Sequence, residues 1–290
     1  MTTASQAKSA RGTAKIGRRL RIAATLAMLG TLQVLPAHAM AAPGAQVFDR
    51  VDQPEQVDPQ WRNGLCALLP RPCKPDTLSL YTPRDAAAGD YVVLAEQPLA
   101  MARLRRAGTA WQVVWTHDFT GYRHSMADAP KDSDAVFSPP TGLRLAPALY
   151  PVGPGRWAAA ILWTATASYS GGGAESSTAD FVAVDPPAGG SRVAHAGIPF
   201  SCSSTIRACF TQKEYAQSPH CQEETSGSLR IGYQESTAND GNAVAAADYR
   251  WRFTWTESTW PANQPASSTR RTTLRFAERN ADTASFCGGR

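Results

Sequence analysis

The stretch YRWRFTWT, Tyr249 to Thr256, changes character at every residue without a slip. In an extended chain successive side chains point to opposite faces. Tyr249, Trp251, Phe253 and Trp255 therefore share one face, and Arg250, Arg252, Thr254 and Thr256 the other. A helix would scatter the same residues around its circumference, so this stretch is predicted to be a strand with one side buried. The period of two recurs along the chain. In RWAAAILWTATASY it puts Trp157, Ala159, Ile161, Trp163, Ala165, Ala167 and Tyr169 together, a glycine-rich turn follows, and TADFVAV returns. TLSLY and YVVLAE are further candidate strands. PLAMARLRRAGTAWQVVWTH is predicted to be a hairpin turning at Ala107-Gly108-Thr109. SLRIGY, YRWRFTWT and RTTLRF form three C-terminal strands separated by polar loops. Helix signals are scarce beyond the N-terminus. The expected fold class is all-β, mainly antiparallel, of the sandwich or barrel type.

The aromatic row could be a binding platform or the inside of a sheet. Trp111, Trp115, Trp157, Trp163, Trp251 and Trp255 lie in phase with alternating strands, on faces that also carry Val, Ile or Phe. A chain of this size needs those rows for its core, where each ring buries roughly 150–250 Å². Recognition is then expected on the opposite side of the same strands. Trp61 and Trp260 fall in loop-like sequence and are the candidates for exposed aromatic contact.

Residues 1–41 differ from the rest. Lys8, Arg11, Lys15, Arg18, Arg19 and Arg21 precede the apolar run IAATLAMLGTLQVLP and then AHAMAAP, the layout of a cleavable export signal. Cleavage after Ala39 or after Ala41 would satisfy the small-residue rule, and Ala41 is taken as the boundary. An organelle transit peptide and a twin-arginine signal at Arg18-Arg19 are the alternatives. The apolar run is shorter than the ~20 residues a bilayer span needs, so no membrane anchor is expected in the mature chain. Six of the 29 Lys+Arg lie in this segment, leaving 23 against 24 Asp+Glu. The basic character of the full chain thus belongs to the leader, and nucleic-acid binding is not indicated.

Cys66, Cys73, Cys202, Cys209, Cys221 and Cys287 all follow the leader, and an even count in an exported chain points to disulfides. Cys66 and Cys73 enclose the proline-rich loop ALLPRP and are expected to pair. Among the other four, Cys287 is expected to tie the C-terminal tail to the segment from Cys202 to Cys221. The Pro/Gly cluster DPPAGGS, Asp185 to Ser191, suggests β-rich regions 42–188 and 189–290, or one continuous domain.

If the three C-terminal strands form a meander, Arg230, Arg250, Arg252, Arg271 and Arg275 can all face outward and create a local positive field in a nearly neutral chain. Such a face suits an acidic protein or an anionic glycan. Single-stranded nucleic acid fits poorly, because aromatics and arginines occupy opposite faces. Catalytic signatures such as G-x-S-x-G, H-E-x-x-H and the phosphate-binding G-x-x-x-x-G-K are absent from the sequence. The most suggestive polar stretch is THDFTGYRHS, where His117 and His124 could converge near Asp118, Tyr122, Arg123 and Ser125 as an acid–base or metal site. A strand end followed by a polar turn is the plainer account. Asp240, Asn242 and Asp248 could bind calcium, but Asn239-Asp240-Gly241 is also a turn signal. No cofactor is implied. The expectation is a periplasmic or extracellular binding or inhibitory protein, with a secreted hydrolase or a glycan-binding module as the alternatives.

Overall fold

A computed structural model describes residues 44–85, 87–128, 142–184, 193–235 and 249–274. Residues 1–41, expected from the sequence to be an export signal, the expected boundary at Asp185 to Ser191, Arg275 and Cys287 lie outside them. The strands are β1 (Gln46–Arg50), β2 (Leu78–Pro83), β3 (Asp90–Glu96), β4 (Leu99–Ala107), β5 (Ala110–Asp118), β6 (Arg144–Gly153), β7 (Arg156–Tyr169), β8 (Gly172–Ala183), β9 (Val193–Arg207), β10 (Gln222–Glu235), β11 (Tyr249–Trp260) and β12 (Ser268–Leu274). Among the described residues three short α-helices interrupt them: α1 (Pro54–Val57), α2 (Trp61–Cys66) and α3 (Gln212–Gln217).

All pairings are antiparallel, and the twelve strands form one sheet in the order β12-β11-β10-β9-β8-β7-β6-β1-β2-β3-β4-β5. The expected hairpins are present. Gly108 at φ +62° turns β4 into β5, and Gly171 at φ +95° turns β7 into β8, backbone values that favour glycine.

One sheet of this length cannot stay flat and bury its apolar rows, so it folds back on itself. Within its five residues β1 passes from pairing with β6 at Gln46 and Val47 to pairing with β2 from Phe48 onward. That corner lays β3 and β4 over one face of β6–β8, where Val92, Leu94, Met101, Leu149, Ile161 and Val182 form a core. At the other corner β9 pairs with β8 along its length but with β10 only from Ser201 to Arg207. The ends of β10 and β11 are thereby released to cover the opposite face of β6–β8. There Tyr150, Ala160, Phe181 and Ile198 meet Trp251 and Phe253. Trp251 Nε1–H donates to Pro151 O at 2.9 Å, fixing the crossing.

A third core lies outside β2–β4, where Trp61, Leu65 and Leu69 pack on Leu80, Val93, Ala102 and Leu104. Strands β3 and β4 are thus covered on both faces, which accounts for the nearly continuous apolar runs YVVLA and LAMA. Trp61, expected in an exposed loop, instead opens α2 and is only 2% exposed, with Nε1–H 3.4 Å from Glu55 Oε1. Short helical turns with a Pro or Gly nearby resemble loops in sequence, and only the sheet beneath them makes the ring a core residue.

Cys66 pairs with Cys73 as expected, and Cys209 pairs with Cys221. Cys202 is also disulfide-bonded. By loop length each of the two defined bridges stabilises the fold by about 2–3 kcal/mol. The Cys66–Cys73 loop is held to β5 by Arg71, whose Nε donates to Asp118 Oδ2 at 2.7 Å. This bonding fits an oxidising compartment. Among the described residues, no helix is long and apolar enough to cross a membrane.

Candidate binding surface

The C-terminal meander shows the two-sidedness its sequence implies. Trp251 (9% exposed), Phe253 and Trp255 (2%) are buried, whereas Arg250 and Arg252, on either side of Trp251, are exposed. Register adds the neighbours. Arg230 on β10 stands opposite Thr254, Arg271 on β12 stands opposite Thr256, and both are exposed. Directly opposed residues share a face, so Arg230, Arg250, Arg252 and Arg271 lie on one side of the sheet. On that side of β10–β12 the described residues include one carboxylate, Glu224, opposite Trp260 at the far end of β11. Glu257 belongs to the other face, where Arg270 lies opposite it with Nη2 3.9 Å from its carboxylate.

Toward β7 the arginine face gives way to hydroxyls. Successive registers align Thr164, Ser177, Ser201, Ser228 and Thr256 in a row that ends at Arg271. Thr164 and Ser177 share a hydrogen bond of 2.8 Å. The next row is similar but carries Glu175. Positive charge is therefore concentrated over β10–β12.

Trp260 ends β11 on the arginine side rather than in a loop. It is half-buried, stacked on His220 at 3.8 Å, and its Nε1–H donates to Gln264 O at 2.9 Å.

The polar stretch after β5 is organised around a carboxylate on β8. Asp180 is fully buried and accepts from the Ser125 hydroxyl (2.6 Å), Ser125 N–H (2.7 Å), Gly197 N–H (2.7 Å) and the Tyr122 hydroxyl (2.9 Å). Burial pushes its pKa up, but these bonds outweigh it and hold the group below the ordinary carboxylate value. Tyr122 is pushed up by burial and by donating to Asp180. His124 is buried as well. Its Nδ1 accepts Met126 N–H at 3.1 Å, so Nε2 carries the proton and donates to Ile161 O at 3.1 Å. Burial lowers its pKa and keeps the ring neutral.

With both nitrogens engaged in the interior, His124 fastens the loop to β7 and β8; it presents no base to solvent. Asp118 accepts from Thr120 N–H and from Arg71, both at 2.7 Å, closing the turn after β5. Its neighbour His117 stands opposite Met101 and rests against the Phe119 ring at 4.5 Å. Tyr122 and Ser125 gather around Asp180 rather than around a His117–His124 pair, and Asp180 is about sixty residues away in the chain, without a spacing signal to mark it.

Among the described residues no group of three or more His, Cys, Asp or Glu could hold a metal, and Asp240, Asn242 and Asp248 lie outside them. An open groove of about 660 Å³ runs beside α1 between Asp52 and Arg106, whose guanidinium is 3.5 Å from Asp58.

One exposed feature escaped sequence reasoning. The loop closed by Cys209–Cys221 presents the exposed Phe210 and Tyr215, with the Arg207 guanidinium 5.9 Å from the Phe210 ring. Thr211 and Glu214 form a capping box that fixes α3, and Arg207 Nε donates to the Tyr215 hydroxyl at 3.2 Å. The signal available in the sequence was T-x-x-E directly after a Cys-Phe pair. Comparison with family models, with curated proteins and with solved structures finds no match to this chain in any of the three.

Proposed function

We propose that the mature chain is an exported binding protein of inhibitory type that recognises an acidic partner through the outer face of β10–β12. The observation that carries this reading is the division of labour across β11: its indole and phenyl rings fill the core while Arg250 and Arg252, with Arg230 and Arg271 beside them, face solvent. Guanidinium groups form bidentate, charge-assisted bonds with carboxylates and are enriched at protein interfaces.

The hydrolase alternative draws little support from His124, which is sealed in the interior. The glycan alternative has lost Trp61 to the core and retains Trp260 with one ring face covered by His220. The test is capture from an oxidising periplasmic or extracellular extract with the mature protein as bait. A partner held by the parent chain and lost by an Arg250→Glu/Arg252→Glu variant with an unchanged near-UV spectrum supports the reading. Equal capture by both chains removes it.

A further inference from the structure

The arginines are spaced regularly as well as gathered on one face. Taking β11 as a ruler, its outward positions define successive levels two residues apart, or about 6.7 Å. Arg250 occupies the first level and Arg252 the second. Arg230 stands beside Thr254 at the third, and Arg271 beside Thr256 at the fourth. One guanidinium per level makes a track about 20 Å long centred on β11, stepping one strand to the β10 side at Arg230 and one strand to the β12 side at Arg271, sideways steps of about 4.8 Å. Gly232, opposite Arg252, adds no side chain, and a Cβ there would meet nothing closer than 3.9 Å, so the second level is open on the β10 side. Ser228, Thr254 and Thr256 supply hydroxyls between the charges. The track ends where Glu224 and Trp260 face each other, two levels beyond Arg271.

An extended peptide repeats on one face with the same period of two residues. We propose, on the basis of the arginine-face reading above, that the partner engages this track with an extended acidic segment of about eight residues carrying carboxylates at every second position. Each carboxylate then meets one guanidinium, the intervening side chains point away, and the segment stops short of Glu224, whose charge would repel it. A nucleic acid would gain its phosphate contacts but no stacking, because Trp251, Phe253 and Trp255 are beneath the sheet.

The test uses the full mature protein and two labelled dodecapeptides of identical composition, one alternating Glu and Ser, the other alternating Glu-Glu and Ser-Ser pairs. Fluorescence anisotropy at low ionic strength should show the alternating peptide binding about tenfold more tightly, since only it places a carboxylate at all levels of one face. Arg230→Gln and Arg252→Gln should each reduce that preference. If both peptides bind equally and both are lost in an Arg230→Glu/Arg252→Glu variant, the spacing inference fails while the arginine face survives. If binding ignores the arginine substitutions, both ideas fail. Absence of binding by either peptide, or tighter binding of polygalacturonate or a single-stranded oligonucleotide than of the alternating peptide, also overturns the inference.

Discussion

Strands β6–β8 and strands β10–β12 belong to the same sheet, yet they solve different problems. The first group is covered on both sides: Ile161 and Val182 face one core, Ala160 and Phe181 the other. The second group buries one row and leaves its alternate row to solvent. Position within a folded sheet thus decides how many faces of a strand are available for recognition. Residues at the central layer can vary little without loss of the fold, whereas the outer layer can carry a charged face at small cost in stability.

Substitutions in the two layers should have unequal effects. Trp251→Ala should be the most damaging, because Trp251 joins the outer layer to the central one through ring contacts with Phe181 and Tyr150 and through its bond to Pro151 O. A loss of about 3–5 kcal/mol in urea unfolding is expected. Asp180→Ala comes next. It strands two backbone N–H groups and two hydroxyls, and should cost about 3 kcal/mol while freeing the loop from Phe119 to Met126 for hydrogen exchange.

The pH dependence offers a third handle. His195 lies against Trp251 and Phe253, and burial lowers its pKa from 6.5 to about 4. The unfolded chain therefore binds more protons between those values, so stability is full above pH 6.5 and falls as pH drops toward 4, by up to about 3 kcal/mol from this residue. Replacing His195 with Leu should flatten that part of the denaturation midpoint against pH; an unchanged slope would assign it to other groups.

Gly227→Ala should cost about 1–3 kcal/mol by overpacking, since an added Cβ would press into the Trp255 ring and lie 2.7 Å from Cys202 Sγ. The smallest effect belongs to the outer row. Arg252→Glu should leave unfolding within about 0.5 kcal/mol of the parent chain while abolishing partner capture, so a large stability change there would break the proposed separation between core and recognition faces.

Much of the outer layer was legible because a strand with one covered face writes its environment into every second residue, as Trp251 and Arg252 do. The central layer was less so. In YVVLAE or RWAAAILW, apolar residues fill both alternations, and the sequence alone assigns them to strands but not to particular cores. Trp61 was misplaced for a related reason: its neighbours Asp58, Pro59 and Gly64 resemble a loop, and burial came from the sheet packed beneath α2. Asp180 had no local signal at all, since its partners arrive from the loop after β5 and from the bend in β9.

The antiparallel β class, the tight hairpins at Gly108 and Gly171, the Cys66–Cys73 bridge and the inward aromatic row could be read from residue order, because backbone alternation and turn geometry are local. Tertiary structure alone decided that twelve strands make one sheet bent into layers, that Asp180 organises the buried loop, and that Arg230 and Arg271 fall into step with Arg250 and Arg252. These depend on register and on where the sheet folds, and both are fixed by side chains meeting across long stretches of chain.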